Sequence, residues 1–90
     1  MTERYLEITF RRGEPIAAYL YLPRLKNDKS FRVEKMGHDM LVDLSEEGRP
    51  IGIEMLSPQT VSPALINEIL AKYSLPPLDD KEVAPLAAAM

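Results

Sequence analysis

The residues best suited to chemistry in this 90-residue chain are two carboxylates, Asp43 and Glu54, in a stretch patterned as a hairpin. Two close carboxyl groups can split their pKa values, one serving as acid and the other as base, or can hold a hard cation. Their placement follows from hydrophobic matching. With Glu46 to Arg49 as the loop, Leu44 faces Ile51, Val42 faces Ile53 and Met40 faces Met55. A slip of one residue would set those side chains against Pro50, Gly52 and Glu54 and invert the faces, so the first register is favoured. Asp43 and Glu54 are then diagonal neighbours on the outward face. A reaction centre needs a concave, water-poor pocket. One small sheet encloses little, so catalysis by this pair requires a pocket shared between subunits, as in a small hydrolase or metal-dependent enzyme. The competing expectation is a polar outward face, with Asp43 bonded to turn amides and Glu54 paired with Arg32. Exposed charge pairs contribute only about 0–1 kcal/mol and need no function, and the balance favours this second view.

Other residues with chemical potential are sparse. Cysteine is absent, which excludes disulfides, thiolate zinc sites, iron–sulfur clusters and a cysteine nucleophile, and fits a cytoplasmic location. The single histidine, His38, lies in a Gly-His-Asp turn and reads as solvated rather than as a proton shuttle or pH switch. Arg24, Lys26 and Lys29 form a charged loop with Asp28 that reads as hydrated rather than as an anion site. The four glycines are scattered and make no phosphate-cradling motif. No metal site and no cofactor are expected.

The elements that position these residues are mainly strands. Leu6, Ile8 and Phe10 alternate with Tyr5, Glu7 and Thr9, the period-two pattern of a half-buried strand. A break at Arg11 to Pro15 leads to a second strand, Ile16 to Leu22. There Ile16, Ala18, Leu20 and Leu22 suit a core, while Ala17, Tyr19 and Tyr21 line the opposite face. Tyrosine is favoured at interfaces, so Tyr19 and Tyr21 are candidate interface residues, unless that face is itself buried. Phe31 to Met36, Met40 to Leu44 and Pro50 to Leu56 complete the strands. Ser62 and Pro63 then open a helix as cap and first residue. Leu65, Ile66, Ile69, Leu70 and Tyr73 fall on one helical face, and Pro76-Pro77 ends it. The expected fold is α+β: a four- to five-stranded, mainly antiparallel sheet with one C-terminal helix on one face. Residues 1–77 form a single domain, and 78–90 form a tail, flexible or docking on a partner subunit.

Charge constrains the partners. Residues 1–45 hold eight Lys/Arg against seven acids (+1), and residues 46–90 hold three against seven (−4), for a net −3. The one basic cluster, Arg24 to Lys35, is diluted by Asp28 and Glu34, which argues against a nucleic-acid role. No apolar run approaches the roughly 20 residues of a membrane helix, so no membrane role is expected.

The segment Asp43-Leu44-Ser45-Glu46-Glu47-Gly48-Arg49-Pro50-Ile51-Gly52-Ile53-Glu54-Met55-Leu56 resembles the signature of a small bacterial family filed as domain of unknown function 2283, which includes YuzE-like proteins. Ala17 to Leu22 is similar to that family's tyrosine-containing second strand, and Leu6 to Phe10 to its first. The resemblance spans roughly residues 5–57. It departs at Ile16, where the family commonly has an acid, and in the long charged loop from Pro23 to Ser30. It implies a compact sheet domain without an established activity. The function expected is therefore that of a non-catalytic protein-interaction module forming homo-oligomers. A concrete version is the partner of a small toxin, with the tail folding on it. The alternative is the Asp43/Glu54 enzyme.

Overall fold

The computed structural model describes residues 4–89, with side chains described as far as Leu86. Five strands form one antiparallel sheet: β1 (Tyr5–Arg11), β2 (Glu14–Tyr21), β3 (Arg32–Gly37), β4 (Met40–Leu44) and β5 (Pro50–Met55). Their spatial order is β1-β2-β5-β4-β3, so β1 and β3 are the edges. β1 and β2 join through Arg12-Gly13, and β3 and β4 through His38-Asp39. All four of these residues have positive φ, between 52° and 80°. Two such residues in succession give the two-residue turn whose twist matches that of paired strands.

The β4–β5 hairpin keeps the expected register at Met40–Met55 and Val42–Ile53 but not at its closed end, where Leu44 pairs with Pro50 instead of Ile51. The loop is three residues, not four. Ser45 N–H donates to the Arg49 carbonyl, Gly48 N–H donates to the Ser45 carbonyl, and Gly48 has φ 85°. A tight turn followed by a left-handed glycine leaves one extra residue on the returning strand. A second bulge, in the β1–β2 ladder, sets Ala17 opposite Thr9 but Pro15 opposite Phe10. Ile16, expected in the core, falls at this irregularity and is exposed.

One sheet face carries Leu6, Ala18, Leu20, Met40, Val42, Ile53 and Met55, all buried. Covering it are helix α1 (Pro63–Lys72), which contributes Ile66, Ile69 and Leu70, and helix α2 (Asp80–Ala89), which contributes Leu86. The expectation of a single helix is thus corrected to two. The Ser62 hydroxyl caps α1 by accepting from Leu65 N–H at 3.3 Å. α1 stops before Pro76 because Ser74, at φ 60°, closes it with bonds from Ser74 N–H to Ala71 and from Leu75 N–H to Leu70. α2 opens on a reciprocal cap. Glu82 N–H donates to the Asp79 side chain at 2.8 Å, and Asp79 N–H donates to the Glu82 side chain at 2.9 Å. Neither helix, and no other described helix, is long and apolar enough to cross a membrane.

Candidate functional site

Because both helices lie on one face, the other face of the sheet is open. The alternation of strand side chains puts Tyr5, Glu7, Tyr19, Tyr21, Leu41, Asp43, Gly52, Glu54, Val33 and Lys35 there. Gly52 is the one member of this set that is buried, and its cover is local. Tyr19, opposite Glu54 in the β2–β5 ladder, leans across Gly52 towards β4. A Cβ on Gly52 would overlap the Tyr19 ring and hydroxyl. Only glycine permits that approach.

The lean brings the Tyr19 hydroxyl to Asp43, where it donates to Oδ2 at 2.6 Å. Ser30 Oγ donates to the other carboxylate oxygen at 3.2 Å. Burial, followed by the bond and charge of Asp43, pushes the Tyr19 phenol well above its ordinary range, against an opposing pull from Arg24. Arg24 Nη2 donates to the Ile51 carbonyl at 3.0 Å, while its Nε is buried with no partner among the described residues. Tyr19 also meets Tyr21 edge-on, with centroids 4.7 Å apart, and Tyr21 stacks on Tyr5 at 4.5 Å. The Tyr21 hydroxyl donates to Glu7 at 3.3 Å. The result is a three-ring aromatic array in which carboxylates hold Tyr19 at one end and Tyr21 in the middle, with Tyr5 47% exposed at the other end.

Asp43 and Glu54 do share the outward face as diagonal neighbours, since Asp43 opposes Gly52 and Glu54 opposes Leu41. Their surroundings differ from expectation. Asp43 is held by two hydroxyls rather than by turn amides. Glu54 does not pair with Arg32, which opposes Leu44 and so belongs to the helix-covered side. Neither carboxylate lines either of two clefts on the molecule. One cleft, of about 880 Å³, lies between Tyr5, Leu22, Pro23 and the Leu75–Pro85 stretch. The other, of about 710 Å³, is the charged loop, where Arg49 pairs with Asp28 beside Lys26, Lys29, Glu46 and Glu47. His38 is exposed in its turn. Among the described residues, no group of three or more His, Asp or Glu is placed to hold a metal ion.

Two features escaped the sequence reading. The first is the Arg4 guanidinium, which donates to both carboxylate oxygens of Glu82 and to the carbonyls of Pro76 and Pro77, fastening the C-terminal segment beside β1. An isolated arginine ahead of a strand gives no sign of such a contact. The second is α2, which did have a signal: Asp79 followed three residues later by Glu82, ahead of an apolar stretch, is the signature of a capped helix start.

A five-stranded antiparallel sheet with both helices on one face and an aromatic array on the other makes this an α+β domain. Residues 17–57 match the model of a family described as "Protein of unknown function (DUF2283)", which bears out the resemblance over β2 to β5. No curated protein and no solved structure matches the chain.

Proposed function

We propose that this chain is a non-catalytic interaction module that assembles with copies of itself through the open face of its sheet. The observation that carries this reading is the Tyr5–Tyr21–Tyr19 array, on the sheet face opposite helices α1 and α2. Tyrosine brings a large, amphipathic contact area at a low entropic cost, and these rings are already fixed by stacking and by Glu7 and Asp43. A two-fold contact sets the same patch on both copies, so the rings of one copy lie against those of the other. A chain of this size buries only about 60–65% of its unfolded surface, and association adds burial that the fold alone lacks. Helix α2 packs against β1 of its own chain, and the reading draws on the sheet face.

Light scattering across a concentration series tests this. The expected result is a mass at a multiple of 10.2 kDa at high concentration. Tyr5→Lys should lower that mass by at least half without changing the far-ultraviolet circular dichroism. A mass of one chain at every concentration, or an unaltered mass in the folded variant, overturns the reading.

A further inference from the structure

We propose that the β3 edge is a second contact between copies, in which Phe31–Lys35 pairs antiparallel with the same segment of another chain about a two-fold axis at Val33. β3 ends the sheet, and no described strand pairs with its outer side. Unpaired edge N–H and C=O groups are a template for a further strand unless something blunts them. The other edge differs, because α2 packs against β1. Two apolar side chains at the start of this edge are uncovered: Phe31, just ahead of β3, is 66% exposed, and Val33, within it, 51%. The β3–β4 ladder is regular from Arg32 to Lys35, and its irregularity falls beyond, between Lys35 and Gly37.

The charges select the occupant and the register. Antiparallel strands oppose residues of the same face, so a self-pairing must centre on a residue. Centred on Arg32 it sets Arg32 against Arg32, and centred on Glu34 it sets Glu34 against Glu34; like charges directly opposite oppose pairing. Centred on Val33, Arg32 of each copy faces Glu34 of the other, Val33 meets Val33, and the Lys35 stem and cation lie against the Phe31 ring. The groups needed are available. Arg32 has no ion pair among the described residues. Tyr73 and Lys72 both bond to Oε1 of Glu34, which leaves Oε2 without a described partner. A second copy of this chain therefore supplies what this edge lacks. The contact joins two five-stranded sheets into one and does not need the tyrosine face.

The absence of cysteine makes the test clean. Val33→Cys places two thiols opposite each other across the axis, at the Cα separation of about 4.5–5.5 Å that opposed antiparallel residues share, within disulfide reach. Lys35→Cys places them four positions apart, about 13 Å, beyond it. Under mild oxidation, V33C should cross-link to a covalent dimer at least about tenfold faster than K35C, and should still do so with Tyr5→Lys added. In the V33C background, Arg32→Glu or Glu34→Arg alone should slow cross-linking about tenfold, since each opposes like charges twice. Mixing the two should restore it as a mixed dimer. Each variant is first checked for the native circular dichroism, and R32E alters only an exposed side chain. Equal rates for V33C and K35C, or no recovery on mixing, overturn the edge contact. If light scattering still shows assembly that Tyr5→Lys reduces, the open-face reading survives that result; if it shows one chain only, both fall.

Discussion

Gly52 and Tyr19 behave as one unit, because the ring occupies the space a side chain at 52 would need. Gly52→Ala should destabilise the chain by about 1–3 kcal/mol in urea unfolding, the usual cost of forcing volume into a packed site. In a Tyr19→Ala background the same change should cost markedly less, a non-additivity that a double-mutant cycle measures directly. Equal costs in both backgrounds would show that the ring is not what excludes the Cβ. Tyr19→Phe removes only the bond to Asp43 and should cost about 0.5–1.5 kcal/mol. Alternation alone placed Asp43, Glu54, Tyr19 and Tyr21 on one face. The lean of Tyr19 into the gap above Gly52 was not legible, because it depends on β5 lying between β2 and β4, a topology that local pattern does not encode.

At the scale of elements, the wholly buried Leu86 and the Arg4–Glu82 contact both tie α2 to the body. Leu86→Ala should cost about 2–4 kcal/mol, and its amides should lose hydrogen-exchange protection across 80–89 before the sheet does. The hydrogen bonds from Arg4 hold the Glu82 carboxyl below its ordinary value of 4.5, despite partial burial. A lowered carboxylate pKa stabilises the fold fully above that ordinary value, and the contribution is lost as pH falls through the lowered one. Glu82→Gln should therefore weaken the chain at neutral pH and flatten its loss of stability as pH falls below the ordinary carboxyl value, read from urea midpoints. An unchanged slope would remove Glu82 from the acid transition. Tyr73 offers the opposite sign: burial and the Glu34 bond raise its phenol to about 12, so its contribution is full below 10 and fades as pH rises through 12. The strands and α1 were legible because alternation and helical spacing persist through them. α2 was legible only at its start, in the Asp79 and Glu82 cap, because Pro85 interrupts its pattern and its ion pair is with Arg4, 78 residues away from Glu82.

Over the whole molecule, the sheet divides the chain into a covered side, which holds the core, and an open side, which holds the rings and carboxylates. Self-association through that open side is the claim on which the functional reading depends. The chain has four tyrosines, three on the open face and Tyr73 on the helix side, where it bonds to Glu34. Acetylation by N-acetylimidazole, resolved residue by residue by mass spectrometry, can therefore report both sides in one sample. The account predicts that Tyr5 and Tyr21 react more slowly as protein concentration rises while Tyr73 keeps a constant rate. Rates that stay independent of concentration at all four residues would contradict it.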